Sequence, residues 1–233
     1  MTKPSLLKLK KDIWDDHEKR VLELFSRALK LLQESTDLPD KEDDLSRQLF
    51  MLVRQLNCQN DKQGLSCSPI YQGQNQPVSD DASRSRREDK KPDFQWEMRD
   101  SHEINPERMS RYYTLEAKRL GSPSSKFQKD YVLKGIQRFI LAEWGYGKSV
   151  SSGAMIGYIQ NMELKEILNK VNKHCSQLTI IDLTLSPEGW QNDVSRLDHQ
   201  LERPDVPPSP FNLRHLWVDL RSKKTDNNDD TSS

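Results

Sequence analysis

"TLEAKRL", residues 114–120, decides how this chain is read. It follows Arg111, Tyr112 and Tyr113 and alternates apolar with charged side chains, the period of a half-buried strand. On a strand, Thr114, Glu116 and Lys118 share one face, and Tyr113, Leu115 and Ala117 share the other. An acid and a base side by side on one face are either a surface ion pair or part of a chemical site.

The same spacing elsewhere supplies the comparison. Acid-x-Lys also occurs at Glu88–Lys90, Asp89–Lys91 and Glu163–Lys165. The last lies in "MELKEILNKVNKHC", 162–175, which has a helical period; there, side chains two apart point about 200° apart. The first two lie in a polar stretch. A second carboxylate comes from "PDFQWEM", 92–98, read as a strand with Asp93, Gln95 and Glu97 on one face. Pro-Asp also occurs at Pro39–Asp40 and Pro204–Asp205, outside any strand pattern. Asp93 and Glu116 stand 23 positions apart (116 − 93) on two strands that form an antiparallel hairpin with a long, turn-rich loop at 99–110.

Two carboxylates on adjacent strands suit a hard divalent cation, which takes one or two carboxylates and fills its shell with water and substrate oxygens. Such a cation stabilises charge developing on a phosphodiester and lowers the pKa of bound water. A lysine on the same face can hold the attacking water or neutralise phosphate charge.

Composition bounds the rest. The 233 residues carry 36 Lys plus Arg and 36 Asp plus Glu, a formal net charge of zero, so any polyanion must be met by local clusters of positive charge. Cys58, Cys67 and Cys175 lack C-x-x-C spacing, which fits neither a disulfide framework nor a zinc cluster and points to a reducing cytoplasm. The stretch "MTKPSLLKLKKDIWDD" has no apolar signal core, and no run approaches the roughly 18 apolar residues of a membrane span. A cytoplasmic protein with no membrane partner is expected.

Residues 12–34 have the apolar period of an amphipathic helix (Trp14, Val21, Phe25, Ala28, Leu32), and 41–57 form a second with Leu45, Leu49, Leu52, Val53 and Leu56. Glu42 falls inside that second stripe. It is either an acid in a first turn, favoured by the helix dipole, or a site residue. Residues 59–91 are polar and end in "SRSRREDKK"; they read as a linker in which only "SPIYQ" hints at order. A helix is expected over 126–144, with Gly135 marking close packing against a neighbour. Strands are expected at 151–160, 178–185 and 213–220, and an irregular proline-rich segment over 186–212. Within that segment Arg196, His199 and Arg203 read as solvated loop residues, and His215 on the last strand reads as structural. "AEWGYGKS", 142–149, has the letters of a relaxed phosphate loop, but a helix precedes it and a strand follows, the reverse of what such a loop needs. The expected organisation is an N-terminal helical region (1–58), a linker (59–91), an α/β (α+β) core with a central mixed sheet flanked by helices (92–220), and a disordered tail (221–233).

Pro92-Asp93 with Glu116-Ala117-Lys118 resembles the PD-(D/E)XK nuclease superfamily, the restriction-endonuclease-like fold. The phrases "KKPDFQW", "YTLEAKRL", "GIQRFI" and "GAMIGYI" also look like those of bacterial nuclease-like proteins of antiphage defence. The resemblance implies Asp93 and Glu116 as ligands of Mg²⁺ or Mn²⁺, Lys118 as the catalytic lysine, and an acid from the preceding helix, which Glu42 matches. It implies a nucleic-acid substrate, DNA ahead of RNA, with phosphate contacts from "SRSRREDKK" and from Arg119, Lys126, Lys129 and Lys134. It also implies a further strand before Asp93, for which 59–91 gives no convincing candidate. A homodimer or a protein partner is compatible with it. Two alternatives stay open: an inactive nuclease-fold subunit that binds nucleic acid or scaffolds a complex, and an unrelated protein in which Glu116 and Lys118 are an exposed pair.

Overall fold

The two motif strands lie inside one seven-stranded mixed sheet flanked by helices, an α+β architecture. The computed structural model describes residues 6–60, 68–75, 84–100 and 103–221. The elements are α1 (Leu6–Gln33), α2 (Glu42–Asn60), β1 (Pro69–Tyr71), α3 (Arg84–Arg87), β2 (Phe94–Arg99), α4 (Pro106–Met109) and β3 (Ser110–Leu120). There follow α5 (Lys126–Tyr131), a π-helical turn (Val132–Ile136), α6 (Gln137–Ile140), β4 (Ser152–Ile159), α7 (Leu164–Gln177), β5 (Thr184–Leu185), β6 (Val194–Leu201) and β7 (Phe211–Asp219).

The strand order is β1-β2-β3-β4-β7-β6-β5. The β3–β4 and β4–β7 pairs are parallel and the others antiparallel. Alternation sorts the side chains as the sequence implies. Phe94, Trp96, Tyr113 and Ser152 face α1 and α2. Phe25 of α1 meets the Phe94 ring at 5.3 Å, and Trp14 donates to Ser152 Oγ at 2.8 Å. Burying a phenylalanine like Phe25 stabilises by about 1.5–3 kcal/mol. The opposite face packs on α5, α6 and the π turn, through Tyr131 against Trp217 and Phe139 against Phe211. β4, between two parallel neighbours, is buried along its whole length, as parallel strands are.

Several expectations change. The linker supplies β1, which pairs antiparallel with β2 through Tyr71↔Phe94, so the strand expected before Asp93 is present within "SPIYQ". It also supplies α3; residues 61–67 and 76–83 of that stretch, and the tail from 222, lie outside the described residues. The helix expected to reach 144 stops at Ile140 and contains a π turn. Over 178–185 only Thr184–Leu185 pairs as a strand. Thr179 takes a left-handed φ of 58° after α7, and the Ile181 carbonyl accepts from the His199 ring at 2.6 Å instead of from a neighbouring strand. The segment 186–212 is not irregular throughout, because Pro187 lies at its start and Pro204, Pro207, Pro208 and Pro210 follow residue 203, which leaves Val194–Leu201 free to form β6.

Arg203 is the second correction in that segment. It is fully buried rather than solvated. Its five N–H donors all meet backbone carbonyls: Nε to Pro208, Nη1 to Phe139 and Tyr146, Nη2 to Gly147 and Val150. Three of those carbonyls belong to the loop 142–150, where Gly145 and Gly147 adopt left-handed φ of 59° and 65°. Arg203 thus fixes the loop that follows α6. Arg196 is exposed as expected, while His199 and His215 are buried within the sheet.

Candidate functional site

The β2–β3 register pairs Phe94 with Leu115, so Asp93, one residue before β2, stands beside Glu116 on the face toward α6. The Asp93 Oδ2 accepts from the Ala117 N–H at 2.7 Å, which fixes the carboxylate against β3. Lys118 lies next along that face. Its Nζ donates to Glu116 Oε1 at 2.7 Å, to Glu42 Oε1 at 2.9 Å and to the Ala117 carbonyl at 2.7 Å, with Asp93 Oδ2 at 3.8 Å. Glu42 arrives from the first turn of α2, and its Oε2 accepts from the Arg119 N–H at 2.9 Å. The three carboxylates singled out from the sequence, Glu42, Asp93 and Glu116, therefore converge on the Lys118 ammonium.

The pair in "TLEAKRL" is buried, with Glu116 0 % exposed and Lys118 8 %. It is not a surface ion pair. Close packing from α6 and the π turn encloses it. At Gly135 a Cβ would lie 2.4 Å from Met155 Cε and 3.5 Å from Lys118 Cγ, so a larger residue there would have to displace the end of the Met155 side chain. π turns recur at functional sites in helical segments.

Sequence reasoning missed Arg138. Its Nη1 is ion-paired with Glu116 Oε1, and its guanidinium stacks on Trp144, 4.2 Å from the ring centre. It lies within the phrase "GIQRFI", which by itself assigns the arginine no role. Arg119 stacks in the same way on Phe127 at 4.3 Å and donates from Nη1 to the Asp40 carbonyl at 3.1 Å. Lys126 and Lys129 are exposed on α5, and Lys134 pairs with Asp130 at 3.1 Å. Among the described residues, no hydrogen bond or ion pair joins those three lysines to the cluster.

The charges set the proton affinities. Three carboxylates face two cations, Lys118 and Arg138, so full ionisation would leave one negative charge in excess, and the cluster relieves it by holding a proton on Glu116. Burial pushes the Glu116 carboxyl up to about 8, and the neighbouring Asp93 adds to the rise against the pull of Lys118 and Arg138. Burial also raises Asp93, opposed by Lys118 and the Ala117 N–H. For Lys118 burial acts downward, but Glu116, Asp93 and Glu42 together outweigh it and the shift is upward. Lys118 is a held ammonium, a donor and not a base.

The residues fit a Mg²⁺-like ion in one specific way. Among the described residues no three His, Cys, Asp or Glu are set to enclose a metal. Mg²⁺ uses one or two carboxylates and keeps several waters, and Asp93 with Glu116 supplies that pair. Glu116 Oε2 is buried with no hydrogen-bond partner, a carboxylate oxygen free to bind. A cavity of about 730 Å³ lies on the α1 side of β6 and β7. Its central charges are paired among themselves, Arg214 with Glu18 at 2.8 Å and with Asp198 at 2.6 Å.

No protein-family model, curated protein or solved structure matches the chain. Fold and site together define an α+β protein whose mixed sheet carries buried Glu116 and Lys118 beside half-buried Asp93, with half-buried Glu42 of α2 joined to them.

Proposed function

We propose that the protein is a Mg²⁺- or Mn²⁺-dependent phosphodiesterase acting on nucleic acid, DNA in the first place, with a restriction-endonuclease-like core. The observation that carries this reading is the convergence of Asp93, Glu116 and Glu42, from β2, β3 and α2, on Lys118 Nζ. The order helix with acid, strands, E-x-K strand, then helix also supports it. When bound, the cation supplies electrophilic stabilisation of phosphate charge and a more acidic water. Asp93 and Glu116 hold it. Lys118 Nζ donates a hydrogen bond to the attacking water or to a non-bridging phosphate oxygen, and Glu42 keeps that ammonium charged and oriented. No membrane partner enters this reading, and no described helix is long and apolar enough to cross a membrane.

One observation favours a second reading, an inactive nuclease-fold subunit that binds nucleic acid or scaffolds a complex. The three donors of Lys118 are already spent on Glu42, Glu116 and Ala117, which closes the site without a substrate. Incubating supercoiled plasmid with the full chain separates the two. The phosphodiesterase reading expects nicking that needs Mg²⁺ or Mn²⁺ and is lost in Lys118→Ala. Equal cleavage by both chains removes Lys118 from the mechanism. DNA binding without cleavage under either ion selects the second reading.

A further inference from the structure

Two arginines bracket the cluster in matching fashion. Arg138 is paired with Glu116 at one end and lies 4.2 Å from the Trp144 ring centre. Arg119 sits at the other end, its backbone N–H on Glu42 Oε2 at 2.9 Å and its guanidinium 4.3 Å from the Phe127 ring centre. Between them runs the chain Glu116–Lys118–Glu42, linked at 2.7 Å and 2.9 Å.

Both guanidinium groups are held but not saturated. Arg138 uses Nη1 on Glu116 and Arg119 uses Nη1 on the Asp40 carbonyl at 3.1 Å; the Nε of each is buried without an acceptor, so an oxyanion would be met by the outer Nη edge of each fork. A guanidinium offers five donors in a planar fork that matches two oxygens of a phosphate. Stacking on an aromatic ring sets the plane of that fork and leaves its edge for an oxyanion. The α5 lysines lack this preparation, since Lys126 and Lys129 are exposed and Lys134 is engaged with Asp130. Arg119 adds fixed positive charge at the Glu42 end of the cluster, where its backbone N–H already meets Glu42 Oε2.

Resting on the phosphodiesterase reading, we infer that Arg138 and Arg119 are the two phosphate clamps of the site, gripping the nucleic-acid backbone at either end of the Glu116–Lys118–Glu42 chain. Arg138 leaves Glu116 for the strand as the cation takes up the carboxylate. The α5 lysines contribute only diffuse attraction.

The test is binding of a fluorescent DNA duplex to the full chain in Ca²⁺, which takes the same hard oxygen ligands in a looser geometry, over about 50 to 200 mM salt. Arg138→Gln and Arg119→Gln are each expected to weaken binding about tenfold and to reduce the slope of log affinity against log salt by about 0.9. Arg138→Lys keeps the slope, because it keeps the charge, and guards against a folding defect in Arg138→Gln. Lys126→Gln and Lys129→Gln leave the slope within about 0.3 of wild type. Wild type that binds and cleaves while both arginine variants keep the full slope overturns the clamp and leaves the phosphodiesterase intact. Loss of cleavage in Arg138→Gln with an unchanged slope makes Arg138 a positioning residue for Glu116, which also overturns it. Wild type that neither binds nor cleaves removes both readings together.

Discussion

Glu42 and Lys118 lie 76 positions apart in the chain, yet Glu42 Oε1 is 2.9 Å from Lys118 Nζ. The contact ties the first turn of α2 to the central hairpin, and the other Glu42 oxygen ties it to the Arg119 N–H. Glu42→Ala removes both links and leaves Lys118 to Glu116 and Asp93. Cleavage is expected to fall about tenfold and stability by about 1 kcal/mol, read from plasmid nicking rates and denaturant melts. Unchanged rates restrict Glu42 to its place as an acid in the first turn of α2, favoured by the helix dipole.

Glu116→Gln separates activity from stability. The native Glu116 carboxyl holds its proton up to about 8, whereas its ordinary value is 4.5. The folded state therefore binds a proton that the unfolded chain releases, and Glu116 costs stability as pH rises from about 4.5 to 8. Glutamine mimics the protonated acid and removes that loss. The variant is expected to match wild type near pH 5, to exceed it near pH 8, and to cleave at least about a hundredfold more slowly because it cannot hold the cation. A stability difference that stays constant with pH would contradict this account of the site's charge.

Acid acts through other groups. Burial lowers His199 and His17 to about 4 and takes His215 well below its ordinary 6.5. Around His199, the Ile181 carbonyl and Asp182 pull upward but do not reverse the shift. The unfolded chain takes up these protons below about 6.5 while the folded state refuses them, so their contribution to stability is present at neutral pH and lost as pH falls toward about 4. His199→Gln is expected to flatten the fall by about one proton, near 1.4 kcal/mol per pH unit, in denaturant melts across that window. An equally steep fall in the variant assigns the acid sensitivity to other groups.

Arg203 supports the site from a distance. Its five carbonyl partners include three on the loop that carries Trp144 and Tyr146. Burial lowers its pKa to about 9, and its carbonyls substitute for a carboxylate partner. Arg203→Met leaves buried carbonyls unmatched and is expected to cost about 3 kcal/mol or more in thermal or denaturant unfolding. Arg203→Lys, with three donors for five acceptors, recovers only part of this. Full recovery by lysine would show that charge and not the planar fork matters here.

Strong local periods made much of the fold legible. Alternation in "TLEAKRL" placed Glu116 and Lys118 on one face, and the helical stripe of α2 marked Glu42 as out of place. What stayed hidden depends on contacts distant in sequence. β1 is three residues long and holds only by pairing with β2. Ile180 and Ile181 have strand propensity but lie where His199 takes the carbonyl that a strand would use. The sequence pattern assigns Arg138 no role because its partners, Glu116 and Trp144, lie elsewhere in the chain and a π turn shifts its face. Arg203 looked like loop because no local pattern announces an arginine saturated by distant carbonyls.

The most direct test of the central claim is anomalous scattering from crystals soaked in Mn²⁺. The account predicts one peak bonded to carboxylate oxygens of Asp93 and Glu116, with Lys118 Nζ moved off Glu116 Oε1, where it now lies at 2.7 Å. Mn²⁺ bound only elsewhere, with the Lys118 contacts to Glu42 and Glu116 unchanged, would contradict it.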